Sequence, residues 1–207
     1  MVLLPGIGDV AEDYQSHGFV DAVLRSKAPA DLVAVDMHVG YYARRTVLER
    51  LRQDVIAPAR EAGYEKIWLV GISLGGLGAS LYAAEHAADL EGLVLLAPFL
   101  GDPRIVGEIA GAGGLDAWQP GELTEDDYPR RLWQWAKRYS KGSEKLPALF
   151  LGYGEGDRFA PANRLLAQAL PVDCVLTVPG GHDWRTWQQL WDAFLGARNR
   201  TLAPGVP

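Results

Sequence analysis

Ser73 stands in the middle of Gly71-Ile72-Ser73-Leu74-Gly75, a pattern whose residue types can do chemistry. A serine hydroxyl becomes a good nucleophile only when a base takes its proton, so its setting decides whether it reacts. The preceding run Lys66-Ile67-Trp68-Leu69-Val70 is apolar and branched and reads as a buried strand. The stretch that follows, through Ala79, Leu81, Tyr82 and Ala83, reads as a helix. Strand, tight turn and helix make a nucleophile elbow, in which Gly71 and Gly75 leave no room for side chains. Ser73 then sits at the tip in a strained conformation. The free N–H groups at the start of the helix favour negative charge beside it.

The partners must come from elsewhere. Neutral imidazole can act as base near pH 7, and a carboxylate on its other nitrogen orients it and stabilises the imidazolium. His182 lies in the loop Pro179-Gly180-Gly181-His182-Asp183-Trp184, whereas His17, His38 and His86 lie in or beside helical or strand-end segments and read as structural or surface residues. Asp9, Asp36, Glu155, Asp157 and Asp183 are rival carboxylates. Spacing leaves the choice among them open.

These residues need a scaffold. The chain of 207 residues suits one domain, and its composition, 48% hydrophobic and 22% charged, is that of a globular protein. Short apolar runs at Val2-Leu3-Leu4, at 32–35, in the elbow strand, and at 92–96, 148–151 and 174–178 read as strands. Helical patterns at 13–25, 44–61, 162–170 and 184–195 fall between and after them. Such alternation predicts an α/β protein with a parallel sheet covered on both faces. Trp184, Trp187, Trp191 and Phe194 form a stripe at helical spacing that docks the last helix. Residues 99–145 interrupt the alternation, with a glycine-rich hinge candidate at 111–114 and a helix opening on Glu125-Asp126-Asp127. Long connections of this kind are commonly lids or binding elements, and a small helical cap is expected here.

The net charge of −6 and the lack of a basic stripe point away from nucleic acid and anionic membranes. No apolar run approaches the ~20 residues of a membrane span. Cys174 is the single cysteine, so no intrachain disulfide forms, and its apolar surroundings read as a buried, inert strand thiol. No metal-ligand cluster or phosphate-binding fingerprint is present, and no cofactor or metal is expected. Met1 leads almost directly into a strand without a basic leader, so a cytoplasmic location is expected, a separate upstream segment being the alternative.

From residue 3 to about 195 the chain resembles a serine hydrolase of the α/β-hydrolase superfamily, of the esterase/lipase kind. The resemblance rests on the elbow, on Gly152-Tyr153-Gly154-Glu155-Gly156-Asp157-Arg158-Phe159-Ala160-Pro161 after the fifth strand, and on the glycine-histidine loop after the sixth. It implies a minimal α/β-hydrolase fold: a six-stranded parallel sheet in the order 2-1-3-4-5-6, lacking the family's usual first two strands. It also implies a triad in chain order, with Ser73 as nucleophile, Asp157 as orienting acid and His182 as base. The oxyanion would be held by the backbone N–H groups of Leu74 and of Ile7, the latter from Pro5-Gly6-Ile7, where the family commonly has His-Gly-x.

A serine nucleophile implies an acyl-enzyme released by water. The reading is a carboxylesterase acting on a small ester with short to medium acyl chains. Trp118 and Trp133 in the cap, and Trp184 beside His182, are the pocket candidates. A thioesterase or lipase of the same fold is the alternative, and a non-catalytic binding member the remote one.

Overall fold

Every residue of the strands Trp68–Ile72 and Gly92–Leu96 is buried, as a continuous apolar run must be when a parallel sheet is covered on both faces. The computed structural model describes residues 1–124, 127–142 and 145–202, with side chains through 197. Its strands are β1 (Val2–Leu4), β2 (Val33–Ala34), β3 (Trp68–Ile72), β4 (Gly92–Leu96), β5 (Ala148–Gly154) and β6 (Val175–Val178). They form one six-stranded sheet in the order β2-β1-β3-β4-β5-β6, every pair parallel. The crossover between β1 and β3 falls beside the C-terminal end of β3. A parallel α/β sheet opens a crevice at such a point.

The helices are α1 (Ala11–Ser16), α2 (Phe19–Ser26), α3 (Val39–Ala43), α4 (Val47–Leu51), α5 (Ala57–Glu61), α6 (Leu74–Glu85), α7 (Pro103–Gly111), α8 (Tyr128–Lys141), α9 (Ala160–Ala167) and α10 (Trp184–Leu202). Two differ from the sequence pattern for identifiable reasons. The helix expected over 13–25 is split at Gly18, whose φ of 76° leaves the helical region and whose missing Cβ makes room for the Gln188 amide. The helix expected over 44–61 begins only at Val47, after Arg45 turns left-handed. It also widens into a π-helical turn over Arg52–Ile56, where the Ala57 N–H reaches the Arg52 carbonyl. Pro58 follows directly, and a proline ring crowds the carbonyl four residues back, which the wider turn relieves. The last helix extends past 195 to Leu202.

The tryptophan stripe behaves as its spacing demands. Trp187, Trp191 and Phe194 are buried, and the Trp191 indole N–H donates to the Phe19 carbonyl at 3.1 Å, tying α10 to α2. Cys174 corrects the sequence reading. It lies in a 3-10 turn over Val172–Cys174 just before β6, only half buried, and burial and the neighbouring Asp173 raise its thiol pKa. That keeps the thiol protonated and poorly reactive.

Residues 99–145 fold into α7 and α8. Helix α8 packs against α6, and α7 against α9. Glu125 and Asp126 of the expected acidic helix start lie outside the described residues, while Asp127 caps α8, its carboxylate accepting from the Arg130 N–H. Among the described residues no helix is long and apolar enough to cross a membrane.

Candidate active site

Ser73 has φ 50° and ψ −111°, outside the region a serine ordinarily occupies. Such strain persists only where the surroundings over-determine it. Here they do so through backbone contact. A Cβ on Gly75 would lie 2.0 Å from the Leu4 carbonyl oxygen, and one on Gly71 would lie 2.5 Å from that of Gly75. The Ser73 N–H donates to Leu96 at the end of β4, and its carbonyl accepts from Gly76 and from Phe99. The elbow is thereby fastened to both neighbouring strand ends, with Ser73 4% exposed.

The strand ends next in the sheet carry the partners. His182 Nε2 lies 2.9 Å from Ser73 Oγ, and His182 Nδ1 lies 2.7 Å from Asp157 Oδ2. A carboxylate can only accept, so Nδ1 carries the proton and donates to Asp157, while Nε2 accepts from the serine hydroxyl. Asp157 is itself held, Oδ1 accepting from the Phe159 N–H at 2.7 Å, and it is 4% exposed. Glu155, its rival in the same loop, is exposed. The two loops are clipped together by N–H groups of Glu155 and Gly156 that donate to the carbonyls of Val178 and Gly180. Asp183 then caps α10, accepting from the Thr186 N–H and hydroxyl, and these bonds, the backbone one first, lower its pKa. Gly180 at φ 150° fits against Thr186, where a Cβ would come within 2.3 Å of the hydroxyl oxygen.

Pro5-Gly6-Ile7-Gly8-Asp9 borders the nucleophile from the other side. A Cβ on Gly6 would lie 3.6 Å from Ser73 Cβ. The Asp9 N–H donates to the Gly6 carbonyl, closing a turn in which Gly8 takes φ 84° and Ile7, the second residue, is 61% exposed. The Tyr14 hydroxyl, its pKa raised well above the usual value by burial, donates to the Leu4 carbonyl at 2.6 Å and anchors the strand end from which the loop departs. Among the described residues the N–H groups of Ile7 and Leu74 have no protein acceptor.

The tryptophan candidates fare differently. Trp118 and Trp133 are each 1% exposed, so in this structure they fill the packing of residues 99–145 and offer no surface to a substrate. Trp118 donates its indole N–H to Glu108 at 2.8 Å. Trp184 is partly exposed and close to the site, its indole N–H donating to Asp9 at 3.3 Å and its ring stacked on His17 at 4.4 Å. His38 caps α3 by accepting from the Gly40 N–H, and His86 packs on Tyr82.

Sequence reasoning overlooked the rings that hold the base. Phe159 and Trp187 meet the His182 imidazole edge-on, with centroids 4.9 and 5.0 Å away, and Phe99 packs on Phe159 at 5.4 Å. For Phe159 a signal existed, since it lies two residues after Asp157. For Trp187 the helical stripe masked it, because a ring serving the core and one touching the base look alike in sequence. Two cavities, of about 670 and 770 Å³, lie along α6, α8 and α4, and neither is lined by Ser73, Asp157 or His182. No group of residues among those described is arranged to hold a metal ion.

The family model described as serine aminopeptidase, S33, matches residues 46–126. No curated protein matches the sequence. Among solved structures, the chain is similar to the S-formylglutathione hydrolase of Staphylococcus aureus at 15% identity and a TM-score of 0.62, covering 96% of this chain and 80% of that one. A ferulic acid esterase aligns at 17% identity and 0.59, over 96% and 84% of the two chains. The monoacylglycerol lipase of Paleococcus ferrophilus aligns at 19% identity and 0.57, over 96% and 93%. At these identities the likeness speaks for the fold.

Proposed function

We propose that this chain, with its α/β-hydrolase fold and a serine aminopeptidase family model matching residues 46–126, is a serine hydrolase in which Ser73 hydrolyses carboxylic esters of short to medium acyl length through an acyl-enzyme. The observation that carries this reading is the relay from Ser73 Oγ to His182 at 2.9 Å and from His182 to Asp157 at 2.7 Å. In it His182 takes the serine proton as Ser73 attacks the ester carbonyl, then returns it to the leaving alcohol. Asp157 keeps Nδ1 protonated and stabilises the imidazolium. Phe159 and Trp187 pack near-perpendicular to the imidazole and limit its movement. The N–H groups of Leu74 and Ile7 would receive the oxyanion, Leu74 with the added field of the α6 N-terminus. Water then attacks the acyl-enzyme, with His182 again as base.

The preference for shorter chains is supported by the bulk of Phe99 and Phe159, packed on each other at 5.4 Å with Phe159 against the His182 ring. A fluorophosphonate should label Ser73 and not Ser73→Ala protein, and 4-nitrophenyl esters should fall in kcat/KM beyond about eight acyl carbons. An adduct on another residue would overturn the nucleophile. Rates that climb towards long chains would make the protein a lipase. A preference for thioesters over matched oxoesters would make it a thioesterase.

A further inference from the structure

Asp9 stands beside the nucleophile, and among the described residues no lysine or arginine is paired with it. Its Oδ2 lies 2.6 Å from the place a Gly6 Cβ would take, and that place is 3.6 Å from Ser73 Cβ. The carboxylate is thus within the sum of those distances of the reacting serine. Oδ1 is held by the Trp184 indole N–H, whereas Oδ2 has no protein donor among the described residues. The charged side chains whose fields reach it are Asp13, which raises its pKa, and His17 and His182, which lower it. Asp9 is half buried, and burial raises its pKa, the sign of a carboxylate short of solvent. An unneutralised carboxylate here works against any anion formed at the ester carbonyl, unless the substrate brings a positive charge.

We infer that Asp9 selects substrates by charge: its free oxygen takes an ammonium or other cationic group carried close to the scissile carbonyl, and turns anionic esters away. This rests on the ester-hydrolase reading above. Trp184 is then a positioning residue, fixing Oδ1 so that Oδ2 faces the ligand, while its stacking on His17 fixes the indole. A hydrogen bond between ammonium and carboxylate is charge-assisted and discriminates by about tenfold or more. The cation can enter on the acyl or the alcohol side, and the two are separable by experiment.

The test compares unaltered protein with Asp9→Asn on 4-nitrophenyl 3-ammoniopropanoate, butanoate and succinate, and on 2-aminoethyl against propyl butanoate. The expected result is a ratio of kcat/KM, cationic to neutral, that falls about tenfold or more in Asp9→Asn for at least one side, while the succinate ester gains. Ratios unchanged on both sides would overturn the inference and leave ester hydrolysis standing. Should Asp9→Asn fail to give a native circular dichroism spectrum, inhibition of the unaltered enzyme decides. Propylammonium should compete with the neutral ester more tightly than propionate does, and equal competition would overturn the inference. Neither turnover nor fluorophosphonate labelling in the unaltered protein would remove the ester-hydrolase reading, and this one with it.

Discussion

The loops bearing Ser73, Asp157 and His182 and the long segment 99–145 both leave the sheet, yet they are held by different means. The loops are held by backbone against backbone. Gly75 meets the Leu4 carbonyl, Gly71 meets Gly75, and Gly154 meets the Gly180 carbonyl, all at distances that forbid a side chain. Segment 99–145 is held by side chains, with Ile105, Ile109, Leu115, Trp118, Leu132, Trp133 and Trp135 buried. Outside, Arg130 bridges Glu108 and Asp127, and Glu108 also receives the Trp118 indole. Backbone contact admits one geometry. Side-chain packing is graded and repacks, which suits a cap that has to move, and we propose that role for this segment.

If that difference is real, the loops should fail abruptly and the segment gently. The largest effect should be Ser73→Ala, which removes the nucleophile and should lower kcat by on the order of 10⁴-fold or more, with circular dichroism unchanged. Next comes Asp157→Asn, whose amide can favour the wrong imidazole tautomer, with an expected loss of about 10² to 10⁴-fold. Glu155→Gln, in the same loop but exposed, should cost less than about tenfold on the same activated ester. Near-native activity in Asp157→Asn with collapse in Glu155→Gln would reverse the assignment of the acid.

Gly75→Ala tests the backbone lock itself. One methyl group would have to displace the Leu4 carbonyl, and the expected cost is about 3 kcal/mol by urea unfolding, with activity lost even in the folded fraction. The matching change in the segment is Glu108→Gln, which weakens the pairing with Arg130 and Trp118 that holds the Glu108 pKa down. Partly exposed pairs contribute little, so Tm should fall by no more than about a few degrees, and kcat on an acetate ester by less than about twofold. Equal damage from both substitutions would erase the contrast between the regions.

The smallest effect sits at the boundary, in the cap of α10. The Asp183 pKa lies below its ordinary 3.8, chiefly through the Thr186 N–H. A carboxylate with a depressed folded pKa contributes stability above its unfolded pKa and loses it as pH falls through the folded value. The difference in Tm between the protein and Asp183→Ala should therefore be constant above pH 5 and shrink below about pH 4. A difference independent of pH would show that the cap works by shape alone.

What could be read from the sequence was what is local. Gly71-Ile72-Ser73-Leu74-Gly75 between an apolar run and a helical stretch specifies an elbow, because the glycines answer contacts within a few residues of themselves or at the neighbouring strand end. The continuous apolar runs likewise specified the strands, of which β3 and β4 are buried throughout while the edge strands β2 and β6 are not, and the strand order that the resemblance implied is the one observed. Tertiary structure decided whatever depends on reach. Whether Asp157 or Glu155 meets a histidine 25 residues beyond Asp157, and whether that histidine meets a serine 109 residues before it, follows from how loops are clipped across strand ends. The break at Gly18 needed Gln188 from the last helix, and the burial of Trp118 needed Glu108 and the packing of α7. Asp9 shows the limit most clearly. Its partner Trp184 lies 175 residues away, so only the folded chain could turn a loop aspartate into a charge beside the nucleophile.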